Sequence, residues 1–444
     1  MSAAFASTCA LVGGGLVYTR VVAKAVGPGA TRLLLFAPAL CVNVAAPLLV
    51  LDPEADPLFT AIGVATFAWW TNFKVLALAA GRGQLAHPTL SAPAFLALAA
   101  LPVRLADGRG GRTPRGDSDR NRTRVREHHR RADAPHTARD AFLGFACKLA
   151  ALRCCVSIAL PALDARHVGT HQAGAHVDRA VRRVQVLTVA RNATYAVALY
   201  AFLGALFDLG AALAFAAFGA PLARHFDLPF LATSFSDFWG SRWNLVAGAS
   251  LRDAVYAPIT EGRFFRDADG RVSAPNAEAA GARGEEGKTA AASRVARRDE
   301  DARARRRRFV GVFACFAVSG AMHEFVLWAL EGRSSRPGSR AIGWEWFAFF
   351  FAQAPLVCLE AFFSSSKTRR RRREKSKPSS PTPKPRGVFS SMTTASSTRA
   401  VKNGAFLVAQ LALANALFFP PVARHALDER IVADVRKVLG FQTP

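Results

Sequence analysis

The chain has 444 residues, 51% of them hydrophobic, and a formal net charge of +26. Its apolar residues arrive in long blocks, not at amphipathic spacing, which excludes an ordinary soluble domain and predicts an all-α, polytopic bundle of membrane-crossing helices, each needing about 20 apolar residues. The charge does not point to nucleic acid, because no aromatic residues interleave with the basic runs to form a stacking platform.

In chain order, the predicted spans are 5–19, 33–51, 58–80, 141–163, 195–220, 309–330, 342–363 and 404–420, about eight in all. The first and fourth are the weakest, and Lys148 and Arg153 interrupt the fourth. The N-terminal run has Arg20 and Lys24 after it and no positive charge before it, the reverse of a signal peptide, so it is expected to be a retained span. A shorter apolar stretch, 91–102, is expected to lie along the membrane interface or dip into it.

Three basic inserts, 104–139, 261–308 and 364–402, separate these blocks; the last contains the run Arg369 to Arg373. They are predicted to be disordered and, by the positive-inside rule, cytosolic, with the N-terminus and the C-terminal tail in the lumen. They read as solvated linkers or as contacts for anionic headgroups, worth about 1 kcal/mol per basic residue near the surface. Residues 1–444 otherwise form one membrane domain. The seven cysteines form no CxxC pair and are expected to be small buried hydrophobes without a disulfide role.

Polar groups break the hydrophobic pattern in three places. In the third span, within WWTNFKVLALAAGRGQL (Trp69 to Leu85), stand Asn72 and Lys74, and sequence does not name a partner for the lysine. SFSDFWGSRWN, Ser234 to Asn244, reads as an interfacial helix with Phe235, Phe238, Trp239, Arg242 and Trp243 on one side. Its Gly240 costs about 1 kcal/mol relative to alanine, a sign that a helix or ligand approaches closely there. LRDAVYAPI adds Arg252 and Tyr256.

The third place is SGAMHEF, 319–325, in the second half of the sixth span. Ser319 shares a helical face with His323, and Gly320 allows a neighbouring helix to pack closely. The histidine lies about 20 Å into the span, at 1.5 Å per residue. Ionisable groups at such depth line cavities or do chemistry by default. Glu324 points about 100 degrees away and reads as a structural partner for a lysine or arginine.

Weaker signals carry less. His167, His171 and His176 lack cysteine or acidic neighbours at ligand spacing, and no metal is expected. Asn121 and Asn192 head glycosylation sequons that need not be used. A P-loop, a GxSxG elbow and a dinucleotide fingerprint are absent from the sequence.

DFWG followed by RWN, then LR, VY and a proline, then SGAMHE on a later span, resembles the wax synthase branch of the membrane-bound O-acyltransferases. The upstream NFK and GRG are similar to that branch too, so the likeness covers roughly half the chain in the right order. Ser241 stands where relatives commonly carry arginine, and Phe235 where leucine is usual. The resemblance implies that His323 is catalytic with Asn244 as its partner. It further implies an endoplasmic reticulum enzyme of lipid metabolism that makes wax esters from acyl-CoA and a long-chain alcohol, with no cofactor beyond the acyl-CoA co-substrate. Trp239, Arg242, Trp243, Arg252, Tyr256 and Ser319 are the expected substrate-binding residues, Arg242 and Arg252 as cations for the CoA phosphates. The other readings are a sterol or diacylglycerol acyltransferase of the same fold and a non-enzymatic lipid transporter or scaffold. Oligomeric state is not readable.

Overall fold

The computed structural model describes residues 3–106, 135–162, 177–219, 221–266, 289–331, 343–375 and 388–440. In chain order its helices are α1 (Ala3–Ala25), α2 (Ala30–Val50), α3 (Pro57–Ala79), the short α4 (Ala92–Ala100), α5 (Ala138–Ala159) and α6 (Val177–Phe218). Then come α7 (Phe235–Ser241), α8 (245–261), α9 (Thr289–Glu331), α10 (Glu345–Lys375), α11 (388–424) and the amphipathic α12 (Leu427–Leu439). All except α4, α7, α8 and α12 are long and apolar enough to cross a membrane, eight spans among the described residues. A two-residue antiparallel pairing, Pro135–His136 with Leu222–Ala223, closes the junction between α5 and the end of α6. The protein is therefore a multi-pass helical membrane protein, and both weak spans are real helices.

The polar residues that interrupt the spans explain how the bundle is assembled, because a charge in hydrocarbon needs a partner. Lys148 on α5 pairs with the buried carboxylate of Asp208 on α6. Gly144 and Gly204 make room for the pair: a Cβ on Gly204 would lie 2.5 Å from Lys148 Cδ. Asn72 on α3 accepts from Asn43 Nδ2 of α2 at 2.8 Å and donates to the carbonyls of Leu40 and Ala68. Lys74 Nζ donates to the carbonyls of Leu98 and Leu101, both at 2.6 Å. Those carbonyls belong to the end of α4, where helix geometry leaves oxygens unbonded and the dipole favours a cation. The stretch 91–102 packs one face into the bundle: Phe95 and Leu98 are buried, and Lys74 pins its end.

Past α3 the chain turns through Gly81 and Gly83, both at positive φ (71° and 72°), which glycine adopts without a Cβ penalty. Between them the buried Arg82 donates to the carbonyls of Arg263 and Phe264 and pairs with Glu261 at 2.8 Å. The GRG motif therefore ties the end of α3 to the end of α8.

Helices α9 and α10 approach tightly at Gly320, where a Cβ would fall 2.9 Å from the Phe347 carbonyl oxygen and 3.0 Å from its Cα. Beside this contact, Glu324 accepts from the backbone N–H of Phe347 at 3.0 Å. Its expected lysine or arginine partner is thus replaced by the first turn of α10, whose N–H groups have no intrahelical acceptor.

Two other expectations change. Of the inserts, 107–134, 267–288 and 376–387 lie outside the described residues, but 289–308, 364–375 and 388–402 are helical, not disordered. Residues 289–308 extend α9 because alanine and arginine are strong helix formers, and Asp299 with Arg303 and Asp301 with Arg305 stand at helical i,i+4 spacing. Among the cysteines, Cys155 alone is buried; Cys9, Cys315 and Cys358 are half-buried, while Cys41, Cys147 and Cys154 are exposed. Lipid is as apolar as the interior, so a thiol gains nothing by facing inward.

Two outcomes follow from these contacts. Gly320→Ala is expected to force α9 and α10 apart at backbone atoms and to destabilise the protein by about 1–3 kcal/mol, read as a lower melting temperature in detergent. Burial alone would raise the Glu261 carboxyl, but hydrogen bonds from Arg82 and Arg266 outweigh it and hold the group at about 2, below its usual 4.5. Glu261 therefore stabilises the junction fully above pH 4.5 and loses this contribution as pH falls towards 2. Wild type should lose more thermal stability between about pH 5 and 3 than Glu261→Gln does.

Candidate active site

His323 is half-buried on α9. Its Nδ1 lies 2.7 Å from the backbone carbonyl oxygen of Ser319, one turn earlier. A carbonyl oxygen only accepts, so Nδ1 carries the proton and Nε2 is the free, basic nitrogen. The ring stacks on Phe350 of α10, centroids 3.8 Å apart and planes 22° apart, with Trp346 edge-on at 6.4 Å.

The aromatic motif is docked on α10. Ser234 caps α7 by accepting from Asp237 N at 3.1 Å, and Glu360 of α10 accepts from the N–H groups of Phe235 and Ser236 at 2.9 and 2.8 Å. Two turns earlier on α10, Gln353 Oε1 accepts from Trp239 Nε1 at 2.9 Å. The Trp239 ring meets Phe316 of α9 at 5.6 Å and Phe350 at 5.8 Å. Phe350 thus lies between Trp239 and His323. Trp243 stacks on Phe238 at 5.4 Å, and Phe238 packs edge-on against Trp239.

The motif is not one helix. It ends at Ser241, and Asn244 turns the chain into α8 from a left-handed backbone (φ 43°, ψ 61°), with its Oδ1 accepting from Ala247 N at 3.1 Å. Asparagine is a favoured helix N-cap and tolerates this conformation because its short polar side chain bonds locally. Among the described residues its Nδ2 makes no hydrogen bond, so one donor stays available. Gly240 faces open space, so of the helix or ligand expected there no helix approaches.

The other expected site residues divide. Arg242 is buried and engaged through two of its nitrogens: Nε donates to Asp237 at 2.9 Å, and Nη1 to the carbonyl of Asp227 at 3.0 Å. These bonds hold the α7 turn together, and Nη2 makes no hydrogen bond among the described residues. Arg252 is exposed and has no hydrogen bond or ion pair among the described residues. Tyr256 packs on α9 at Gly311, where a Cβ would fall 2.8 Å from its ring, and Leu251 lies against Cys315. Those contacts are about 12–18 Å along α9 from His323, so Arg252 and Tyr256 sit towards its N-terminal, basic end, away from the base. Arg252 to Tyr256 are also π-wound, a local over-insertion often found at functional sites. A small cavity of about 40 Å³ runs beside α8, bordered by Lys74, Arg104, Ser250 and Asp253.

Sequence reasoning missed Phe350, Gln353 and Glu360. A glutamine and a glutamate seven residues apart, on one face of an otherwise apolar span, were the available signal. Asn192 is buried, its Nδ2 donating to Asn415 at 2.7 Å, so that sequon is not open to glycosylation in this fold. The three histidines at 167, 171 and 176 lie outside the described residues.

No family model matches the chain. Over 262 residues it is 30% identical to acyl-CoA–sterol O-acyltransferase 1 of Arabidopsis thaliana, covering 58% of this chain and 62% of that protein. It is 29% identical over 252 residues to the long-chain-alcohol O-fatty-acyltransferase of Simmondsia chinensis, covering 54% and 58%. A third match, 35% over 125 residues, is to the probable long-chain-alcohol O-fatty-acyltransferase 3 of Arabidopsis thaliana, covering 28% of this chain and 26% of that one. The chain thus spans about three fifths of the length of the first two.

The two arginines should separate on substitution. Arg242→Lys loses the forked geometry and should lower stability by about 3 kcal/mol, the scale of breaking a buried pair. Arg252→Lys should leave the melting temperature unchanged.

Proposed function

Related by sequence to the wax synthase branch of the membrane-bound O-acyltransferases, this chain is, we propose, an enzyme that esterifies a lipid alcohol with the acyl group of acyl-CoA. The observation that carries the proposal is the fixed tautomer of His323, with a free Nε2 deep in a membrane span. An imidazole suits general-base work near neutral pH.

In the proposed step, His323 Nε2 accepts the hydroxyl proton while the alcohol oxygen bonds to the thioester carbon. The carbon–sulfur bond then breaks, and the proton passes to the departing thiolate, giving ester and free CoA. Asn244 Nδ2, unbonded among the described residues, supplies a hydrogen bond to the negative oxygen formed at the carbonyl or orients a substrate; removal of such a donor costs about 3 kcal/mol. Transfer is direct, since no serine or cysteine is arranged as an activated nucleophile beside the histidine. Arg252, exposed and without a hydrogen bond or ion pair among the described residues, is a cation that can meet the CoA phosphates near the basic end of α9. The acyl acceptor is a long-chain alcohol, with a sterol as the second reading because one relative is named for that substrate. Residence in the endoplasmic reticulum is part of the proposal.

Membranes carrying wild type, His323→Ala or Arg252→Ala, given labelled acyl-CoA and a panel of fatty alcohols, sterols and diacylglycerol, provide the test. Wild type should form ester with fatty alcohol, and His323→Ala should lose about 100-fold to 10,000-fold in kcat. Arg252→Ala should raise the KM for acyl-CoA. Equal ester formation by wild type and His323→Ala would defeat the proposal.

A further inference from the structure

Gln353 on α10 is fully buried, at 0% exposure. Its Oε1 accepts from the Trp239 indole, and because an indole nitrogen only donates, that contact fixes which end of the amide is oxygen. The other end, Nε2, has no hydrogen-bond partner. An unmet buried donor costs about 1–3 kcal/mol, and hydrocarbon offers no water to relieve it. One turn before Gln353, about 4.5 Å along the helix, Phe350 stacks on His323. Gln353 and His323 therefore border one aromatic cluster, made by Trp239, Phe316 and Phe350.

We propose that Gln353 is a further catalytic residue, whose Nε2–H donates to the carbonyl oxygen of the acyl thioester. The inference rests on the O-acyltransferase reading above. Two substrate oxygens come to the base, and a pure donor serves only one of them. Donation to the alcohol oxygen would occupy the lone pair needed for attack. Donation to the carbonyl oxygen strengthens as that oxygen gains negative charge, the property that lowers a barrier. Trp239 holds the amide at its other end, which fixes the orientation of the donor.

The test uses the full chain, with Gln353→Met as a near-isosteric variant lacking the amide, made in wild-type and Trp239→Phe backgrounds. Each variant is checked for a monodisperse folded peak in detergent. Gln353→Met should lower kcat about 100-fold with little change in KM for acyl-CoA. In the Trp239→Phe background the indole bond is already absent, so a role confined to anchoring Trp239 predicts no further loss; the proposal predicts a further loss of at least about tenfold. Equal kcat for Trp239→Phe with and without Gln353→Met would overturn it. Should the background itself be inactive, binding decides: wild type should prefer an acyl-CoA over its thioether analogue, in which CH2 replaces the carbonyl, and Gln353→Met should abolish that preference. An undiminished preference overturns the inference. If wild type forms no ester with any acceptor, the O-acyltransferase reading fails first; if wild type is active and Gln353→Met matches it, only the role of Gln353 fails.

Discussion

Everything around the candidate base depends on how closely α9 and α10 approach at Gly320. With backbone atoms of Phe347 about 3 Å from where a Cβ would stand, no other residue fits there without a shift. That contact brings the first turn of α10 within reach of Glu324, and it brings Phe350 face to face with His323. The same face of α10 carries Gln353 and Glu360, which hold Trp239 and the start of α7. A single small residue thus sets the spacing for the base, its stacking partner and the docked aromatic helix.

The bundle treats every polar group in its spans in one of two ways. Most are matched within the protein: Lys148 with Asp208, Asn43 with Asn72, Lys74 with the end of α4, and Trp239 with Gln353. Others retain unused capacity among the described residues: His323 Nε2, Asn244 Nδ2 and Gln353 Nε2, and also the Trp69 and Trp70 indoles, Thr60 Oγ1 and Gln410 Oε1. Lipid offers no compensation for a polar atom left unmatched, and in the proposed function the first three of these would meet substrate groups.

The spans were legible because crossing hydrocarbon demands a length of apolar sequence, and length survives without knowledge of packing. His323 was legible for the complementary reason, a titratable group where none is cheap. The roles of arginines were not: Arg242 and Arg252 look alike in a string, yet one is locked to Asp237 and the other is unpaired, a difference made by tertiary contacts alone. Asn244 was read as the last residue of a helix, whereas it is the hinge between two, because a short amide beside a following backbone N–H competes with helix continuation. Gln353 was hidden by context: one amide in FFFAQAPLV reads as an interruption until its indole partner, over a hundred residues away in sequence, is known.

The polar neighbour that orients the His323 ring is a neutral peptide oxygen of its own helix, not a carboxylate. A cation formed on that imidazole would have no counter-ion at Nδ1 to sustain it, in surroundings that solvate charge poorly. In the proposed transfer its lifetime would then be short, and the captured hydrogen would be handed on to sulfur almost as soon as it arrives. A helix that supplies only a dipole in this way favours one concerted passage over a pause at a charged way-station.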